Sequence, residues 1–174
     1  MSAEISTRPD SSEYATHFER YVSLVPEAGV VGVMEKQLDE VVKVFRAVAR
    51  ERESYRYAPG KWSVRQLAGH LIDAERVFGY RALCVARGEK ANLPSFDENA
   101  YVANASFDAH PLDQLADEFA LIRRSNLVMF RHLASEAWDR KGIADGHEIT
   151  VRALAFIMAG HARHHLGVLA TRYA

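Results

Sequence analysis

Apolar residues recur at helical spacing in four long stretches of this chain, and no stretch sustains the alternation that a half-buried strand requires. From Met34 the series Leu38, Val41, Val42, Phe45, Val48 and Ala49 falls on one helix face. The spacing starts that helix between Gly29 and Gly32 and ends it near Ser54. YRYAPGKW, with Pro59-Gly60 as its turn, breaks the pattern. A second helix opens at Ser63, because SVRQ has the form of a capping box with Gln66 three residues after the cap. Its stripe of Val64, Leu67, Leu71, Ala74, Phe78 and Val85 runs to Gly88, a natural C-terminal stop. A third helix has Pro111 in its first turn and carries Leu115, Phe119, Ile122, Leu127 and Phe130 to about Leu133. The fourth is capped by Thr150. Four such helices predict an all-α, four-helix bundle, with residues 88–110 as a long crossover between the second and third helices. Short helical turns are expected there at Glu98–Ala103, and connections of that length are commonly functional.

One bundle accounts for nearly the whole chain. Residues 1–12, polar and containing Pro9, read as a disordered tail, and residues 13–174 as a single domain. The net charge of −1 offers no global attraction to nucleic acid or to an anionic membrane. No run approaches the roughly 18 apolar residues of a membrane-spanning helix. Neither partner is expected. Cys84 stands alone, which excludes an intrachain disulfide framework and a multi-cysteine zinc site and fits a reducing compartment. The opening MSAEISTRPDSSEYA has no apolar core of a signal peptide, so the expected location is the cytoplasm.

Chemistry concentrates in GHARHH, residues 160–165. On a helical wheel His161 and His165 fall inside the arc of Val151, Leu154, Met158, Val168 and Leu169, while His164 lies at its edge. Two imidazoles one turn apart, with Cβ atoms about 5–6 Å from each other, can converge on one cation at about 2.0–2.1 Å. They can equally be hydrogen-bonded core residues, and HxxxH spacing alone does not decide. No glutamate follows His161, so the HExxH protease signature is absent. A third ligand must come from another helix. His17 sits near the tail, His110 and His147 in loops, and His132 at a helix end. Only His70 lies well inside a helix, flanking Leu67, Leu71 and Ala74 with small neighbours Ala68 and Gly69. Three imidazoles leave a metal with an open position, as catalytic sites do. Such donors suit zinc, nickel, copper or iron, with zinc or nickel the expected ion.

A metal-activated nucleophile needs a proton acceptor. Glu75, one turn past His70, and Glu98 or Asp97 in the crossover are candidates, each with the ordinary alternative of a solvated or ion-paired carboxylate. His164 is an acid–base candidate or a surface imidazole. Cys84 reads as packing, Trp62 and Trp138 as anchors for loops, and Arg76 and Arg81 as surface or ion-paired groups with an anionic substrate as the alternative.

The segments GHLIDAERVFGYRAL, with His70, and AGHARHHLGVL, with His161 and His165, resemble the DinB-like, YfiT-like metal-dependent hydrolases. YAPGKWSVRQL and LPSFDENAY extend the resemblance over roughly residues 20 to 174. It implies a four-helix bundle that holds a divalent metal through His70, His161 and His165, and it is compatible with a homodimer. Some members of that family are transferases or isomerases using bacillithiol, mycothiol or glutathione. The expected function is therefore a metal-dependent enzyme that activates a small thiol or water, as an S-transferase or a hydrolase. The alternative is a non-enzymatic, stress-related metal-binding bundle.

Overall fold

The computed structural model describes residues 7–173. In chain order the elements are α1 (Glu19–Val22), α2 (Val30–Arg46), α3 (Val64–Ala86), β1 (Asn92–Leu93), α4 (Glu98–Asn104), α5 (Leu112–Arg131), β2 (Lys141–Ala144), β3 (His147–Thr150) and α6 (Val151–Arg172). The four long helices are those the apolar spacing predicts. Ser63 Oγ accepts from Gln66 N at 3.0 Å and Gln66 Oε1 accepts from Ser63 N at 3.1 Å, completing the capping box of α3. Thr150 Oγ1 accepts from Ala153 N at 3.0 Å and opens α6.

Side-chain pairings give the helix directions. Arg65 with the Asp108 carbonyl, Glu75 with Arg123, and Gly79 beside Asn126 advance together along the chain, so α3 and α5 run parallel. Arg46 with Asp117, Gln37 with Arg123 and Glu35 with Arg131 advance in opposite senses, so α2 and α5 are antiparallel. Both α2 and α3 pack chiefly on α5 and α6, which puts the consecutive helices α2 and α3 on opposite corners. Because α3 and α5 are parallel, residues 88–110 must travel back along a helix of 23 residues, about 34 Å at 1.5 Å per residue. On the way they set α4 against α3.

The strands depart from the all-helical expectation. β1 pairs parallel with β2, and β2 pairs antiparallel with β3 from Lys141↔Thr150 to Ala144↔His147. Strands of four residues or fewer are too short for alternation to register. The legible signal was Asp145-Gly146, whose φ values of 52° and 73° are those of a two-residue hairpin turn. Two boundaries also shift. The first long helix ends at Arg46 instead of near Ser54, because Ala49 turns extended ahead of a 3₁₀ turn at Arg50–Arg52. Buried Glu53 can then accept from Arg65 Nη2 at 2.6 Å and Leu112 N at 3.2 Å. Of the expected tail, residues 1–6 lie outside the described residues. Residues 10–12 are not frayed: Asp10 caps the 3₁₀ turn Ser11–Glu13, and Glu13 accepts from Thr150 Oγ1 at 2.8 Å and Arg152 Nη2 at 2.7 Å.

The core forms two apolar clusters stacked along the bundle. Met34, Phe78, Phe130, Leu154 and Phe156 belong to one, and Phe45, Leu71, Leu115, Phe119 and Leu169 to the other. Between them lies a layer of buried polar groups, Gln37, His70, Glu75, Arg123 and His161. Among the described residues no helix is long and apolar enough to cross a membrane. The short helix α1 lies on α6 at Gly160, where an added Cβ would stand 2.0 Å from the Tyr21 carbonyl oxygen. Gly160→Ala is accordingly expected to lower stability by about 1–3 kcal/mol through overpacking. Thermal denaturation followed by circular dichroism checks this, and an unchanged midpoint would refute the close contact.

Candidate metal centre

The polar layer contains the three histidines that helical phase selects. His70 enters from α3, two turns past its cap, and His161 and His165 from the antiparallel helix α6, one turn apart. Nε2 of His161 lies 2.9 Å from Nε2 of His70 and 3.1 Å from Nε2 of His165. His70 and His161 are buried and His165 half-buried. Ring centroids of 4.8, 4.8 and 4.5 Å close the triangle. Among the described residues this is the one group of histidine, cysteine or carboxylate side chains arranged to hold a metal.

Each imidazole nitrogen presents either one proton or one in-plane lone pair. Nε2 of His161 can therefore satisfy one neighbouring Nε2 well, and must share itself with the other or repel it. Nδ1 of His70 and of His165 is buried with no hydrogen-bond partner among the described residues. The rings thus turn their shared contacts inward, at Nε2, where protein hydrogen bonds alone cannot complete them. A cation drawing on all three lone pairs would. Protonation favours the same outcome. Burial, followed by the charge of His164, pushes His70 down to about 4. Burial, with His70 and His164 nearby, pushes His165 down to about 2, and burial holds His161 well below the ordinary imidazole value. Neutral imidazole is the form that ligates metal.

Residues 34–169 match the sequence profile of the DinB superfamily, a span that takes in all three histidines. The chain belongs to the DinB superfamily. Its fold is shared with YfiT from Bacillus subtilis, described as a probable metal-dependent hydrolase with an unusual four-helix bundle topology. The TM-score is 0.70 at 17% identity, over 95% of this chain and 90% of that one. A mycothiol-dependent maleylpyruvate isomerase superposes with a TM-score of 0.65 at 11% identity, over 79% of this chain and 58% of that one. The DinB-like protein YjoA of Bacillus subtilis gives 0.59 at 20% identity, over 83% and 88% of the two chains. At these identities the likeness establishes the fold. No curated protein matches the sequence.

The remaining candidates of this DinB-superfamily protein separate clearly. Glu75 does not face the histidines as a free carboxylate. Arg123 Nε and Nη2 donate to it at 3.0 and 2.6 Å, and Asn126 Nδ2 adds a third bond at 3.1 Å. Asp97 is spent as the cap of α4, accepting from the amides of Asn99 and Ala100 at 3.0 Å. Glu98, the first residue of α4, lines two cavities on either side of the histidines and has no hydrogen-bond partner among the described residues. His164 is half-buried, edge-on to Tyr21 at 5.5 Å, and lines the larger cavity. Cys84 packs against the core, Arg76 pairs with Glu118 at the surface, and Trp138 stacks on Phe130 at 5.4 Å. Trp62 does more than anchor a loop: its ring lies 4.7 Å from that of His70. Arg81, expected at the surface or in an ion pair, with an anionic substrate as the alternative, is buried in the wall of the cavity that His70 and His161 also line. Tyr21, 5.1 Å from His161, could not be found from periodicity, since α1 spans barely one turn.

Two outcomes follow. Glu75→Gln leaves the Arg123 guanidinium buried without its countercharge and is expected to destabilise the protein by about 3 kcal/mol or more. Urea denaturation measures it, and a neutral result would put Glu75 outside the structural role. Metal-free protein should also lose stability as pH falls from about 6.5 towards 4. In that window the unfolded chain takes up protons that folded His70 and His165 refuse, by up to about 1.4 kcal/mol per pH unit for each ring. Denaturation of chelator-treated protein at stepped pH checks it, and His165→Ala should flatten the slope.

Proposed function

We propose that His70, His161 and His165 hold a divalent cation, zinc or nickel, and that the protein is an enzyme using it to activate a small thiol or water for attack on an electrophile. The observation that carries this reading is the convergence of three neutral Nε2 atoms that cannot all satisfy one another. A divalent ion with three imidazole ligands would supply Lewis acidity, lowering the pKa of a bound thiol or water.

The chain's own groups fit the rest of the task. Glu98 lines both cavities, and in this reading its carboxylate takes the proton the nucleophile gives up. A cavity of about 360 Å³, lined by Tyr57, Lys61, Trp62, His164 and Val168, has room for a low-molecular-weight thiol. A second of about 140 Å³, lined by Phe78, Arg81 and Phe96, would take the electrophile. Trp62 and Phe96 shield His70 from bulk water, which strengthens charge interactions at the centre. The description of YfiT as a probable metal-dependent hydrolase, and the thiol dependence of the isomerase that shares the fold, support the same class of chemistry.

Elemental analysis of purified protein is expected to find about one divalent ion per chain in wild type and none in the His70→Ala/His161→Ala/His165→Ala variant. Equal metal content in the two would sink the reading. With a chromogenic electrophile and a panel of thiols, turnover only in the presence of thiol marks a transferase, and turnover without it a hydrolase. Glu98→Gln should retain the metal and slow turnover by about 100-fold or more. Retained metal with no turnover on any substrate would leave a non-enzymatic metal-binding bundle.

A further inference from the structure

Among the described residues two arginines are buried, and only one of them is in a salt bridge; the exposed Asp145 shares a cavity wall with the other without pairing with it. Arg123 is clamped on Glu75. Arg81, 4% exposed, donates through Nη2 to the Pro94 carbonyl at 2.7 Å, which engages one of its five N–H groups. Among the described residues no carboxylate comes within salt-bridge distance of it. A guanidinium so removed from water is destabilised unless something pairs with it. Arg81 lines the same small cavity as His70 and His161. The Phe78 ring is near both, 5.9 Å from the His161 ring and 5.8 Å from Arg81 Cζ. One molecule could reach both ends by spanning no more than about 12 Å.

We propose that Arg81 is the specificity residue of the site and binds the carboxylate of a small anionic substrate whose reacting end lies at the histidines. This rests on the metal-centre reading above. Charge supports a carboxylate. The cavity wall sets Arg20 and Arg81 against Glu98 and Asp145, a neutral balance. A divalent ion at the histidines would add two positive charges, which a thiolate and one carboxylate would neutralise. The cavity, about 140 Å³, is far below the roughly 300–1,000 Å³ of pockets for drug-sized ligands, so the substrate is small.

The test titrates zinc-loaded wild type, R81Q and R81K by calorimetry with ω-mercaptocarboxylic acids of increasing chain length and ω-mercaptoalcohols of matched length. Wild type should prefer the acid by about tenfold or more at an optimal length. R81Q should lose that preference while retaining zinc, and R81K should keep part of it. No acid preference in wild type, or full preference in R81Q, overturns the proposal. The wild-type comparison decides even if R81Q fails to fold. Propionate and inorganic phosphate, titrated into metal-free protein, separate the two readings. If wild type holds no zinc, the metal centre fails, yet propionate binding by wild type and not by R81Q still assigns Arg81. Tighter binding of phosphate than of propionate would overturn the assignment to a carboxylate.

Discussion

A carboxylate and a guanidinium sealed from water at mid-height of the bundle hold its architecture in place. Glu75 and Arg123 are 4% and 0% exposed along their side chains and meet through two hydrogen bonds. Neither ion would be tolerable there alone. Their pairing selects one rotation and one height of α3 against α5. Arg123 Nη1 also reaches Gln37 Oε1 at 3.3 Å, and Gln37 Nε2 donates to the Ala159 carbonyl at 2.9 Å. A single polar chain thereby crosses all four long helices and ends two residues before His161. The register of α6, and with it the position of His161 and His165, is set by this chain as much as by the apolar packing above and below it.

The helices joined by this pair, α3 and α5, run parallel, and much of the site follows from that. Parallel neighbours cannot be joined by a tight turn, so the chain has to run back along the bundle. The return segment is where Phe96 and Glu98 come from, laid over α3 beside His70. The long connection thus supplies groups that no helix of the bundle could present at that place. The small sheet closes the far end, with Arg81 reaching Pro94 just beyond β1.

Much of this was legible in the residues, for identifiable reasons. Helices of seventeen residues or more repeat their apolar stripe often enough to be seen, and Ser63 and Gly88 mark the ends of α3 with hydrogen bonds and backbone freedom that their residue types supply. Helical phase separated His161 and His165 from His164 because the angular offset of neighbouring residues is fixed. It also picked His70, which the structure places against them. Partners on other helices were not legible. Glu75 and Arg81 look like any charges on a helix until Arg123 is brought to one and only the Pro94 carbonyl is hydrogen-bonded to the other. α1 and the three strands escaped because they are too short for a period to repeat, although Asp145-Gly146 carried a turn signature.

The topology also governs when the centre can exist. His70 and His161 are separated by 91 positions, and Gln37 from its Ala159 partner by 122. Since α3 and α5 are parallel, the bundle cannot be assembled as successive antiparallel hairpins, and long-range closure must come before the helices stabilise one another. The three imidazoles are therefore brought together only when α6 docks. A chain emerging from the ribosome offers only the local pair His161 and His165 until that step, with His70 far away, so capture of a cation by all three imidazoles would report that folding is complete.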